Sequence, residues 1–123
     1  MTTTPVIALQ GMQALAAGLG GYCLILWFKK SRQQMIIAFH LLAGLGGIEA
    51  LIGFMHMSDL DADSPVRALG MTAVKWFGLA VFTGLAAPLI GKKSPPLANL
   101  ALAVHVGSAL LGFFTTLSFA SQV

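Results

Sequence analysis

Apolar residues dominate four long stretches of the chain, and short hydrophilic gaps separate these stretches. The stretches cover residues 5–28, 35–55, 68–91 and 97–120. A helix needs about 20 mostly apolar residues to cross a bilayer, whereas the strands of a membrane barrel alternate over only about ten residues. The pattern therefore predicts an all-α fold, an integral membrane bundle of four transmembrane helices. Short gaps favour antiparallel neighbours, so the expected order is up-down-up-down.

Composition supports the same class of protein. Of the 123 residues, 57% are hydrophobic and 9% are charged, whereas an ordinary soluble domain carries about a quarter charged residues. A disordered chain is excluded as well, because disorder requires low hydrophobicity. Residues 1–123 have the length of a single membrane domain. The lipid bilayer is the first partner that we expect for this domain.

The basic residues indicate membrane topology rather than nucleic-acid binding. The chain has seven basic and four acidic residues and a net charge of +3. Most of the basic residues lie in the gaps 29–34 and 92–96. Because basic loops stay on the cytoplasmic side of a membrane, we expect both of these loops to be cytoplasmic and both termini to lie on the outer side.

Two histidines lie inside the predicted spans at similar depths. His40 is about six residues from the inner end of its helix and His105 about eight or nine, which places them within roughly one helical turn. Two level imidazoles on separate helices could be axial ligands of the iron of one haem b, or of the magnesium of a chlorophyll-type pigment. Four small residues share the helical stripes of these histidines and would leave room for a flat ring: Gly44, Gly47, Ser108 and Gly112.

The two histidines and their small neighbours also allow an interpretation without any cofactor. Small residues on a helix serve the close packing of membrane helices. Each imidazole would then donate a hydrogen bond to a Ser, a Thr or a backbone carbonyl of a neighbouring helix.

Two charged side chains also lie inside predicted spans. Glu49 is about seven residues from the outer end of the second span, and Lys75 about eight from the outer end of the third. An ion pair between them would keep both charges stable in lipid, and Gln13 lies at a similar depth. The functional alternative is a proton or quinone site, because a carboxyl group carries a proton and a lysine or glutamine can bond a quinone carbonyl.

The spacing of His40 and Glu49 suggests that the chain does not work alone. Nine residues correspond to about 900° of helical rotation, so the two side chains point to opposite faces of one helix. Both cannot face the centre of an isolated four-helix bundle. We therefore expect a homo-oligomer or other membrane subunits as partners.

A faint internal repeat accompanies these residues. Each Lys-Lys-Ser sequence, at 29–31 and at 92–94, precedes a span that carries a histidine. The pattern is typical of a helix pair used twice, although inner lysine pairs in any four-span protein would produce a similar pattern.

The segments His40-Leu41-Leu42-Ala43-Gly44 and His105-Val106-Gly107-Ser108-Ala109 resemble the haem-bearing helices of cytochrome b561-like proteins and related four-helix b-type membrane subunits. The resemblance implies electron transfer between a quinone or another donor and a partner redox protein. A two-haem arrangement needs four histidines, so two well-placed histidines support one haem at most. On shape alone, small four-span families without cofactors, such as the DoxX-like group, are similar too.

Three functions therefore remain open. The first is a subunit of a respiratory or photosynthetic electron-transfer complex that binds a tetrapyrrole between His40 and His105. The second is a cofactor-free accessory subunit that packs against larger partners. The third is a small proton-linked transporter that uses Glu49 and Lys75. The sequence contains no phosphate-binding loop and no nucleophile–base motif, so no enzymatic activity is assigned.

Overall fold

A computed structural model describes residues 3–123 and the side chains from residue 4 onward. Over this range the chain forms four α-helices and no strand. They are α1 (Thr3–Phe28), α2 (Gln34–Met57), α3 (Pro65–Gly91) and α4 (Pro95–Ala120). All four are long and apolar enough to cross a membrane, so the predicted all-α, four-span class is confirmed.

The predicted helix ends at residues 28, 91 and 120 coincide with those observed, whereas every helix begins earlier than its apolar stretch. The difference is largest at α3, which begins at Pro65 rather than at residue 68. Proline is favoured in the first turn of a helix, because the N–H group that it lacks would have no partner there. Hydrophobicity alone therefore misses this first turn.

Contacts divide the chain into two units, each of which is an antiparallel helical hairpin. The first hairpin pairs α1 with α2 and the second pairs α3 with α4. The prediction that residues 1–123 form a single membrane domain stays a prediction, and residues 1 and 2 lie outside the described part of the chain.

Large apolar side chains cover the outer surfaces of both hairpins. Phe82 is 70% exposed, Leu89 67% and Leu42 64%. Such surfaces are stable against lipid tails and unstable against water. Hydroxyl groups on these helices donate to carbonyl oxygens of their own helix, as Thr72 does to Ala68 at 2.9 Å and Thr116 to Gly112 at 2.9 Å. The protein is therefore an integral membrane protein in contact with the bilayer.

The end of the hydrophilic loop between α2 and α3 shows why α3 begins where it does. Ser64 is the N-cap of α3, and its hydroxyl oxygen accepts a hydrogen bond from the backbone N–H of Arg67 at 3.4 Å. This bond satisfies one of the N–H groups that the first helical turn leaves without an intrahelical partner.

The C-terminal end of α1 is closed by a left-handed residue. Lys30 has a φ of 54°, and the N–H of the next residue, Ser31, donates to the carbonyl of Leu26 at 3.0 Å. This six-residue closure is a Schellman motif, in which glycine is the usual left-handed residue because it lacks a Cβ. The lysine therefore holds a conformation that costs free energy for an L-residue.

Replacing Lys30 with glycine should stabilise the first hairpin by about 1 kcal/mol, because glycine adopts a left-handed conformation without strain. The measurement is denaturant-induced unfolding of the purified protein in mixed micelles. Lys29→Gly is the matched control, since Lys29 does not have a positive φ. Equal effects of the two changes would contradict the role of the left-handed conformation.

Candidate functional site

His40 links the two helices of the first hairpin. Its Nδ1 donates a hydrogen bond to the backbone carbonyl of Ala16 on α1, at 2.9 Å. A carbonyl oxygen can only accept, so Nδ1 carries the proton. The imidazole ring lies against Gly20, one helical turn beyond Ala16, where an added Cβ would lie 2.8 Å from Cε1 of the ring. The glycine therefore creates the space that the ring occupies.

His105 occupies a corresponding position in the second hairpin. Its Nδ1 donates to the carbonyl of Ala80 on α3 at 2.6 Å, and the same oxygen accepts from the hydroxyl of Thr83 at 3.2 Å. The ring lies against Gly84, where an added Cβ would lie 2.7 Å from Nδ1. Each histidine thus donates to an alanine carbonyl and packs on the glycine four residues further along the same helix.

The two hairpins correspond position by position along this contact. The carbonyl that accepts lies 24 residues before the histidine in the first hairpin and 25 before it in the second. The next contact along the helices also corresponds, because Gly47 packs on Gln13 and Gly112 packs on Phe77. The faint sequence repeat therefore has a structural counterpart, a hairpin built twice on one plan.

The small residues expected beside a cofactor have different environments. A Cβ added to Gly44 would meet nothing within 4 Å, whereas Cβ atoms at Gly47 and Gly112 would lie 3.3 Å from Gln13 and 2.9 Å from Phe77. The hydroxyl of Ser108 donates to the carbonyls of Val104 and His105 of its own helix, at 2.7 and 3.1 Å. Gly47 and Gly112 therefore serve helix packing, and of these three glycines only Gly44 borders open space.

Glu49 and Lys75 lie on faces turned away from the partner helix of their own hairpin. Glu49 lies two residues beyond Gly47, and Lys75 lies two residues before Phe77, so each is about 200° around its helix from that contact. Both side chains are exposed, while Gln13 is buried at 5% exposure. Glu49 belongs to the first hairpin and Lys75 to the second, and the ion pair between them stays a prediction.

The histidine contacts agree with the cofactor-free alternative as far as Nδ1 is concerned, because both Nδ1 atoms donate to backbone carbonyls. Such a bond is also how a metal-binding histidine is oriented, since it leaves the lone pair on Nε2. Within residues 3–123 no group of three or more His, Cys, Asp or Glu side chains is arranged to hold a metal ion. Axial ligation of haem iron or pigment magnesium by His40 and His105 stays a prediction.

The fold and these contacts define an integral membrane protein of two helical hairpins with intramembrane charges. The chain is 33% identical over 81 residues to a Mg(2+)/citrate complex secondary transporter of Bacillus subtilis (strain 168), a similarity that covers 66% of the chain. It spans only 18% of the length of that relative. No family model matches the chain, and no solved structure matches it.

Sequence reasoning singled out both histidines but missed the groups that they contact. Ala16 and Gly20 in the first hairpin, like Ala80 and Gly84 in the second, are small residues four positions apart. That spacing is typical of helix faces that approach a neighbour closely. This spacing occurs both in α1 and in α3, the helices that precede the two histidine-bearing helices. It was the sequence signal that could have identified these contacts.

Gly20→Ala and Gly84→Ala should each destabilise the protein by about 1–3 kcal/mol, because the new methyl group overlaps the imidazole and the overpacked contact must shift. Unfolding in mixed micelles measures the change. Gly21→Ala and Gly78→Ala are matched controls with nothing within 4 Å of the added Cβ, and they should be neutral or stabilising because alanine favours helix. Destabilisation of the controls to the same extent would contradict the proposed packing of the rings.

Proposed function

We propose that this chain is a module of a proton-linked membrane transporter in which Glu49 and Lys75 are the working side chains. The observation that carries the proposal is the position of these two charges, exposed on the outward faces of long apolar helices. It develops the third of the functions that the sequence leaves open.

Charge in the hydrocarbon region is costly enough to require a reason. A charged residue at the centre of a membrane helix costs about 2.5–3.5 kcal/mol on insertion scales. The hairpin that carries Glu49 does not bury it, and neither does the hairpin that carries Lys75. Each side chain therefore needs a polar environment from beyond its own hairpin, and a polar path through the membrane supplies one.

The chemistry of the two groups suits the carriage of an anion together with a proton. A carboxyl group such as that of Glu49 can take up and release a proton. The ammonium group of Lys75 attracts an anionic substrate. The similar protein is a secondary transporter of a complex between Mg²⁺ and citrate, and we propose a carboxylate anion, free or bound to a divalent cation, as the substrate class.

The chain corresponds to only a small part of the length of the similar transporter. Because the chain covers 18% of the similar transporter, we propose that it forms one part of the transport path. We propose that further copies of the chain complete the path, one of the two kinds of partner predicted from the opposite orientations of His40 and Glu49.

Liposomes that contain the purified chain should take up citrate in the presence of Mg²⁺ when an inward proton gradient is imposed. Glu49→Gln and Lys75→Met should reduce uptake to the level of protein-free liposomes, because they remove the proton-carrying and the anion-attracting group. Asp61→Asn and Lys92→Met delete the same charges outside the helices and should leave uptake unchanged. Absence of uptake by the wild-type chain would contradict the proposal.

A tetrapyrrole-binding subunit is the second candidate, and the donor chemistry of the histidines favours it. Nδ1–H donation to a carbonyl, seen at His40 and at His105, leaves Nε2 as the nitrogen that binds a metal. These residues fit an axial ligand pair in chemistry, and the open space beside Gly44 fits a ring edge. When bound, such a group would supply one-electron transfer, with a quinone among the possible donors.

An absorption spectrum of the protein purified from its native membrane tests the second candidate. A bound haem b or chlorophyll-type pigment gives an intense Soret band, which His40→Ala and His105→Ala should abolish. His56→Ala is the control, because His56 lies at the last turn of α2 and outside the two histidine contacts. A colourless, fully folded protein would exclude this candidate and leave the transport proposal untouched.

A further inference from the structure

We propose that the first hairpin binds an anionic glycerophospholipid, with the headgroup phosphate at Arg32 and an acyl chain in the apolar groove between α1 and α2. Two separate features of the hairpin carry this inference. One is a basic loop that no acidic residue precedes, and that is followed by none until Glu49. The other is a groove lined by apolar side chains.

The loop after α1 concentrates positive charge at the membrane surface. Lys29, Lys30 and Arg32 are all exposed, and the guanidinium carbon of Arg32 lies 5.5 Å from the ring centroid of Trp27. Tryptophan is enriched at the interface of a bilayer, so this contact holds the guanidinium at headgroup depth. A guanidinium group matches the oxygens of a phosphate with two parallel hydrogen bonds.

The sequence near this loop contains no acidic residue that could neutralise its positive charge. Glu49 is the first acidic residue of the sequence, and it lies 17 positions after Arg32, about 24 Å along α2. Anionic headgroups attract basic residues next to a membrane by about 1 kcal/mol each. A phosphate group of the lipid is therefore the anion best placed to neutralise the loop.

The groove lies at the depth where the acyl chain of the same lipid begins. It has a volume of about 400 Å³ and is lined by Met12, Leu15, Leu19, Phe39, Leu42 and Ala43. Leu19 lies eight residues before Trp27 and Phe39 seven residues after Arg32, so the near edge of the groove is about 10–12 Å below the loop. Its lining offers only van der Waals contact, which suits hydrocarbon.

The second hairpin lacks the same combination and provides internal controls. Its loop carries Lys92 and Lys93 but neither arginine nor tryptophan. Leu79 is the counterpart of Leu15 in the structural repeat, and both side chains are exposed. Changes at these positions alter charge or bulk to the same extent without touching the proposed site.

The test is titration of the purified full chain in detergent with phosphatidylglycerol, with bound lipid measured by native mass spectrometry and phosphatidylcholine of the same acyl chains as the comparison. The wild type should retain phosphatidylglycerol in preference to phosphatidylcholine. Arg32→Gln should weaken retention of phosphatidylglycerol about fivefold, and Leu15→Trp should weaken retention of both lipids by filling the groove. Lys93→Gln and Leu79→Trp should behave as the wild type, with unfolding midpoints confirming that all variants are folded.

Three results would overturn the proposal. Equal retention of the two lipids by the wild type would remove the headgroup site, and equal losses in Arg32→Gln and Lys93→Gln would reduce it to general charge. Competition by millimolar inorganic phosphate would show that the loop binds the anion without the acyl chain. None of these outcomes depends on transport activity.

Discussion

Hydrocarbon offers no water to a polar group, and the two hairpins depend on how they meet this constraint. Each imidazole donates to a backbone carbonyl of the neighbouring helix, His40 to Ala16 and His105 to Ala80. The bond requires the two helices to approach closely, and glycine at positions 20 and 84 allows that approach. Because lipid tails are as apolar as leucine, membrane helices gain little from hydrophobic burial, and such bonds and close contacts hold the pair together.

This use of the inward faces divides the polar residues into two groups. Inside the hairpins, Gln13 and Ser108 are buried, and the histidines are bonded across the helix pair. On the outward faces, Glu49 and Lys75 stay exposed at mid-span. The transport proposal concerns the outward charges and the tetrapyrrole proposal the inward histidines. On α2, which carries both His40 and Glu49, the two candidate functions therefore use opposite faces of one helix.

The two hairpins share a core plan but differ at their surfaces. The repeated contact of histidine, alanine carbonyl and glycine packs the two helices of each hairpin together. It does not involve the residues on the outer faces, which can differ between the hairpins. The loop of the second hairpin carries neither arginine nor tryptophan, so the contact of Arg32 with Trp27 has no counterpart there. Glu49 likewise has an apolar counterpart, Phe114, in α4. A repeated scaffold with different surfaces allows the two hairpins to differ in what they bind, and the lipid proposed for the first hairpin rests on that difference.

The sequence by itself determined the membrane class, the four helices and the three helix ends at residues 28, 91 and 120, because apolar length is a local property. It also singled out His40 and His105, since an ionisable residue in an apolar span stands out. Only the tertiary structure decided that each histidine contacts an alanine carbonyl and a glycine, and that the side chain of Gln13 packs against Gly47. Those contacts join residues 20 or more positions apart, so they depend on the register between paired helices, which no periodicity within a single helix specifies.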